Sequence, residues 1–262
     1  MKLFYREYGR GRPLIILHGL FGMSDNWVSL ARRWAEHFQV FVLDLRNHGQ
    51  SPHSPEFNYS VLADDLYEFM LDRALPSACI LGHSLGGKTA MLFALNHPEM
   101  TEKMVVVDIA PRAYVHTRFK QFLKLLLNMN LQKIHSRIES DRYLAAKIPQ
   151  TAIRHFLLKN LRRSTHNTFE WKLNLPALYE NVDRVLEAIE PDGQTFEGPA
   201  LFLRGENSDY IGEKDVPRIK ALFPQARVVT VPGATHWVHA DNPDFLFNQV
   251  LWFLEDDSGI AR

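Results

Sequence analysis

Residues 80–91 read ILGHSLGGKTAM, and two chemistries compete for them. Gly82-His83-Ser84-Leu85-Gly86 fits G-x-S-x-G, the sharp turn that presents a nucleophilic serine. Gly82 through Thr89 also fits G-x-x-x-x-G-K-[ST], the loop that cradles nucleotide phosphates. Both motifs sit between a strand and a helix, so the stretch alone does not choose. The serine turn is the weaker pattern and arises by chance in roughly one chain in ten of this length. The phosphate loop is more demanding, and MVVVD at 104–108 imitates a hydrophobic strand ending in a magnesium-binding Asp. The decision has to come from residues elsewhere.

Working outward, short apolar runs suited to buried parallel strands recur: LIIL at 14–17, VFVLD at 40–44, CIL at 79–81 and MVVVDI at 104–109, then PALFLR at 199–204 and RVVTV at 227–231. KLFYREY at 2–8 reads as an antiparallel edge strand. Helical patterns fall between several of these, over 25–37, 60–74, 86–96 and 242–255. The alternation predicts an α/β fold with a mostly parallel central sheet covered by helices on both faces. Residues 112–190 break the rhythm: they hold helical patterns such as RFKQFLKLLLNMNL and TAIRHFLLKNL, and no convincing strand. They are expected to form a helical cap between two sheet strands, over a core of residues 1–111 and 191–262. Such a cap lies over the carboxyl edge of the sheet, where open α/β folds bind ligands.

The composition sets limits. The chain has 262 residues, of which 46% are hydrophobic, and its 30 Lys+Arg balance 30 Asp+Glu. No global field favours nucleic acid, no apolar run is long enough to insert in a membrane, and the N-terminus lacks a signal-peptide pattern. The single cysteine, Cys79, makes no internal disulfide and reads as a small buried hydrophobe, which fits a reducing, cytoplasm-like compartment. Charge is uneven: 112–190 carries 14 Lys+Arg against 7 Asp+Glu, densest in RHFLLKNLRRSTH at 154–166. That run is either a solvated helix face or a basic rim that attracts an anionic substrate portion, such as the phosphates of an acyl-CoA.

Two features decide against the nucleotide. A phosphate loop commonly follows an early strand, whereas three strand-like runs precede this one. LIILHGLFG at 14–22 places His-Gly-Leu at a strand end, where a backbone N–H can serve an oxyanion, and GATHWVH at 233–239 supplies a base after the serine in the chain. The nucleotide reading leaves both idle. Together HGLFG at 18–22, DLRNHGQS at 44–51, GHSLGGKTAM at 82–91, VVVDIAP at 105–111 and the GATHW loop resemble the α/β-hydrolase superfamily. More narrowly the chain resembles the capped bacterial esterases of the YbfF type, related to eukaryotic abhydrolase-domain-containing protein 11. The resemblance spans essentially the whole chain.

On this reading Ser84 is the nucleophile and His236 its base, with His239 as competitor; His18, His48 and His83 are explained as turn and elbow residues. Leu85, at the helix N-terminus, and Leu20, as similar hydrolases imply, would give the oxyanion their backbone N–H groups. The orienting acid is Asp108, which ends a buried strand beside the elbow strand and which the YbfF-type resemblance implies, or Asp209, at the superfamily's usual position after PALFLR. Phe21, Trp237, Phe119, Phe122 and Leu126 are candidate pocket walls. The expected reaction is hydrolysis of small carboxylic esters through an acyl-enzyme, without metal or organic cofactor. Thioester hydrolysis, cofactor-free perhydrolysis and C–C hydrolysis are alternatives on the same scaffold. The expected partner is a small-molecule ester or thioester, with no nucleic acid and no membrane insertion, for a monomer or homodimer.

Overall fold

The computed structural model describes residues 1–115, 117–165, 168–191 and 193–256. In chain order the elements are β1 (Tyr5–Tyr8), β2 (Pro13–Leu17), α1 (Val28–Trp34), β3 (Gln39–Leu43), α2 (Tyr59–Asp72), β4 (Ala78–His83), α3 (Leu85–Asn96) and β5 (Thr101–Val107). An insert then supplies α4 (Thr117–Leu127), α5 (Arg137–Ala145), α6 (Thr151–Leu158), β6 (Leu161–Arg163), β7 (Phe169–Trp171) and α7 (Leu175–Asn181). The chain returns as β8 (Ala200–Gly205), α8 (Val216–Leu222), β9 (Ala226–Val231), α9 (Val238–Asp241) and α10 (Pro243–Glu255).

Seven strands form one sheet in the order β1-β3-β2-β4-β5-β8-β9. Only the β1–β3 pair is antiparallel, with β1 at the edge. The period-2 geometry of a strand sends successive side chains to opposite faces, and both faces are dry. Ile15, Leu17, Phe41, Leu43, Ile80 and Val106 pack under α2 and α3 residues such as Leu66, Phe69, Met91 and Phe93. Leu14, Ile16, Val40, Val42, Cys79, Leu81 and Val105 meet Leu30, Trp34, Leu246 and Val250 of α1 and α10. Cys79 is fully buried there, and burial pushes its thiol up to about 12. From β2 the chain moves outward to β3 and then crosses back to β4. The connections at the carboxyl ends of β2 and β4 therefore diverge, which leaves a crevice over those strands.

The insert departs from expectation in one element. Residues 161–163 and 169–171 pair as an antiparallel hairpin in a stretch where the sequence pattern predicts none. Three residues per strand are too few to show alternation; the hairpin instead rests on buried Leu161 and Phe169 and on an Arg162–Glu170 ion pair at 2.8 Å. Two helix boundaries also shift. The predicted 25–37 helix is a 3-10 turn at Ser24–Asn26 followed by α1, and 242–255 is preceded by the separate turn α9. Asn242 breaks the two apart by accepting from Phe245 N at 3.2 Å as an N-cap. His166, which ends the basic run, lies outside the described residues.

The insert leaves and rejoins the core at one place. Ile189 N donates to Pro111 O at 2.9 Å and Tyr114 N to Leu186 O at 2.8 Å, zipping its two ends into a stem. Lys88 of α3, 1% exposed, donates from Nζ to Arg112 O at 2.8 Å and to Glu187 O at 2.5 Å, one carbonyl on each side of the stem. Farther out, Asn160 Nδ2 reaches Phe21 O at 2.8 Å and Tyr59 Oη reaches Val185 O at 2.6 Å. Among the described residues no helix is long and apolar enough to cross a membrane.

Candidate active site

Ser84 stands between β4 and α3 with φ 51° and ψ −113°, a backbone that a side-chain-bearing residue rarely adopts. Its neighbours make the turn possible. A Cβ on Gly82 would lie 2.1 Å from Gly86 O, and one on Gly86 would lie 2.3 Å from Leu17 O, so β2, β4 and α3 meet backbone to backbone. Gly86 N donates to His18 O at 3.1 Å and Ser84 N to Val107 O at 3.0 Å, which ties the turn to the strands on either side. Lys88 and Thr89, the residues a phosphate loop would turn toward its ligand, are both engaged. The lysine holds the stem of the insert, and Thr89 Oγ1 donates to Leu85 O at 3.0 Å. The double match of the opening stretch is therefore resolved by where its lysine goes.

His236 and Asp108 come together across the ends of β9 and β5: Nδ1 of His236 lies 2.8 Å from Oδ2 of Asp108. Asp108 is fully buried, and its φ of 52° swings its side chain out of the strand line. Gly205 N donates to its Oδ1 at 2.9 Å and Ser208 Oγ to its Oδ2 at 2.5 Å. The carboxylate is thus oriented by donors from the β8 loop while the imidazole proton on Nδ1 points at it, leaving Nε2 as the acceptor. Asp209, in that same loop, is exposed and does not meet His236; its backbone O accepts from Arg112 at 3.2 Å. His239 does not meet Asp108 either. It is half-buried against Trp27, rings 4.7 Å apart and nearly parallel, and desolvation holds it down to about 4.

One side chain that the sequence pattern does not single out lies against His236. The Tyr210 ring stacks on the imidazole with centroids 3.7 Å apart and planes 14° off parallel, and its hydroxyl accepts from Arg118 of α4 at 3.0 Å. Its only sequence signal is that Ser208 and Tyr210 flank the usual acid position, which draws attention to the aspartate between them instead.

The remaining histidines support the loop after β2. His18 Nε2 accepts from Leu45 N at 3.0 Å while its Nδ1 faces Gly19 O at 2.8 Å. His48 Nε2 accepts from Phe21 N at 3.2 Å, and its Nδ1 faces Arg46 O at 2.9 Å. Each ring has one accepting and one donating nitrogen, which requires the neutral form. Burial agrees, holding His18 down to about 4 and His48 to about 3. His83 donates from Nε2 to His236 O at 2.8 Å, fixing the backbone of that histidine. Gly19 passes so close that a Cβ there would lie 2.8 Å from His83 Nδ1. Among the described residues, the N–H groups of Leu20 and Leu85 have no protein acceptor.

A cavity of about 530 Å³ opens over these groups. Ser84 and His236 line it together with Phe21, Trp237, Phe119 and Phe122, the four aromatic wall candidates. Ile153, Phe156 and Leu157 of α6 complete the wall from the insert side. Leu126 is not a wall: it is 1% exposed in the core of the insert. Part of the basic run is bracing within the insert, while the side chains of Lys159, Arg162 and Arg163 face solvent. Arg154 pairs with Asp141 at 2.7 Å and donates to the Ile148 and Pro149 carbonyls, and Arg162 pairs with Glu170.

The family model for the alpha/beta hydrolase fold matches residues 12–243. The chain is 38% identical to the Mus musculus sn-1-specific diacylglycerol lipase ABHD11 over 248 residues, covering 92% of this chain and 80% of that one. It is 32% identical to the Escherichia coli K12 esterase YbfF, with 93% of each chain covered. Among solved structures, a marine microorganism esterase superposes with a TM-score of 0.94 at 42% identity, covering 96% of this chain and 99% of that one. The sheet, the strained serine turn and these relatives agree: the chain belongs to the α/β-hydrolase family and is a hydrolase of the YbfF and ABHD11 esterase type.

Proposed function

We propose that the protein hydrolyses small carboxylic esters by a Ser84–His236–Asp108 triad through an acyl-enzyme. The observation that carries this reading is the 2.8 Å contact of buried Asp108 Oδ2 with Nδ1 of His236, which lines one cavity with Ser84. As Ser84 Oγ bonds to the substrate carbonyl carbon, its proton passes to His236 Nε2. Asp108 stabilises the imidazolium that forms. The carbonyl oxygen becomes an oxyanion, taken up by the unengaged N–H groups of Leu20 and Leu85. His236 then returns the proton to the leaving oxygen, the carbon–oxygen bond to the alcohol breaks, and a water activated by the same histidine releases the acid.

The insert acts in this reading as a cap, since α4 and α6 wall the cavity against solvent. Ser84→Ala is expected to abolish labelling by a fluorophosphonate and to lower p-nitrophenyl ester turnover at least a thousandfold. Asp108→Asn should cost on the order of a thousandfold or more, and Asp209→Asn only a few-fold. A larger loss for Asp209→Asn than for Asp108→Asn would move the acid to the other loop.

A further inference from the structure

The N–H of Leu20 ends a short chain of hydrogen-bonded peptides that begins in the insert. Residues 19–22 form a turn closed by Gly22 N, which donates to Gly19 O at 2.9 Å, with Phe21 at φ 64°. The peptides of this turn are trans and planar, so each C=O points opposite to the N–H of its own unit. In the Gly19–Leu20 unit the Leu20 N–H thus points away from Gly19 O. In the Phe21–Gly22 unit Phe21 O points away from the N–H that holds Gly19 O. Phe21 O is taken in turn by Asn160 Nδ2 at 2.8 Å. Every link runs in one sense: the Asn160 amide to Phe21 O, then Gly22 N–H to Gly19 O, with Leu20 N–H as the free end. Bonds aligned in this way polarise one another, so a donor at the head strengthens the last N–H. The second oxyanion donor, Leu85, receives the same help from α3, where Lys88 N donates to Ser84 O at 3.1 Å.

Asn160 is fully buried between the end of α6 and the start of β6. Its amide has one usable orientation: Nδ2 faces two carbonyls, Phe21 O and, at 3.3 Å, Leu157 O, where an amide oxygen would be repelled. Its backbone is tied on both sides, N to Leu157 O at 3.1 Å and O to Lys172 N at 2.8 Å. The same end of α6 places Phe156 and Leu157 on the cavity wall. The core secures one side of Phe21, whose N–H donates to His48 Nε2 at 3.2 Å, and the insert secures the other.

We propose that Asn160 is a positioning residue for the oxyanion donor Leu20, so that the insert completes the catalytic machinery of the core. This rests on the ester-hydrolase reading above. A misaligned donor is felt where the carbonyl oxygen carries charge, in the transition state, and not in substrate binding. Buried Asn181 supplies the control: its Nδ2 also clasps a core carbonyl and one of its own helix, Pro55 O at 3.0 Å and Ala177 O at 2.8 Å. The next N–H there, on Glu56, goes to Ser54 Oγ and not to the turn. With p-nitrophenyl acetate, Asn160→Ala should lower kcat about twentyfold or more and leave KM within about threefold. Asn160→Asp, which keeps the size and removes the donor, should lose at least as much. Asn181→Ala should keep kcat within about threefold at a comparable loss of melting temperature. A trifluoromethyl ketone takes Ser84 Oγ at its carbonyl carbon and becomes an oxyanion, the proton passing to His236. It should bind the Asn160 variants about twentyfold more weakly, and the corresponding secondary alcohol within about threefold of wild type. Equal kcat losses at 160 and 181, or a loss carried by KM or by the alcohol, overturn the assignment while wild-type Ser84 still labels with a fluorophosphonate. Failure of wild-type Ser84 to label overturns the ester-hydrolase reading and this one together.

Discussion

Neutral histidines surround His236, the proposed base. His18, His48, His83 and His239 are all pushed below the ordinary imidazole value, burial being the main cause, and each holds or packs a neighbour of the site in its uncharged form. A histidine lowered in the folded state binds its proton sooner when the chain unfolds. Its contribution to stability is complete above about pH 6.5 and is lost as the pH falls toward the folded value. For His239 that window runs from 6.5 down to about 4. His239 has no hydrogen-bond partner on Nδ1 and stacks on Trp27, so phenylalanine fills its place without stranding a donor. His239→Phe should lose about 2 kcal/mol less than wild type between pH 7 and pH 5, measured by urea unfolding. Parallel stability curves for the two proteins would show that the ring is charged in the fold. None of this was legible in the sequence. His18, His48 and His83 could be placed beside turns, but which ring nitrogen each uses depends on carbonyls from other elements. The choice between Asp108 and Asp209 was open for the same reason, since only the fold brings the loop after β9 across β8 to the end of β5.

At the scale of elements, the strands and the serine turn could be read from the sequence because their signals are local. Apolar runs bounded by turns announce β2, β4 and β5, and the glycines at 82 and 86 announce the turn. The hairpin β6–β7 was not legible, being too short for any pattern, and neither was Tyr210, whose stacking partner lies 26 positions away on another element. The close packing at the turn makes a sharp prediction. Gly86→Ala puts a methyl 2.3 Å from Leu17 O and 2.6 Å from Leu17 C, both backbone atoms that cannot rotate aside. It should cost about 3 kcal/mol or more and lower turnover at least a hundredfold. Gly193→Ala, at a positive φ with nothing within 4 Å, should cost about 1 kcal/mol and leave turnover intact. Equal losses in thermal denaturation would mean that backbone conformation, and not the approach of α3 to β2, sets the demand for glycine.

For the molecule as a whole, the division between sheet and insert should appear as two levels of stability. β2, β4 and β5 are buried on both faces, whereas α4 and α5 turn much of their surface to solvent. Amides of α4 and α5 are expected to exchange with deuterium through openings a few kcal/mol cheaper than those of β4 and β5. A single common opening energy would instead make the fold one cooperative unit. The stem carries a longer consequence. Because the insert enters and leaves through two segments bonded together at Pro111–Ile189 and Tyr114–Leu186 and pinned by one lysine, the sheet is continuous without it. Everything beyond the stem is in effect a graft on an intact stock. Evolution can lengthen, replace or recombine that graft, and so reshape the wall of the cavity, as long as Asn160 still meets Phe21 and Arg118 still meets Tyr210.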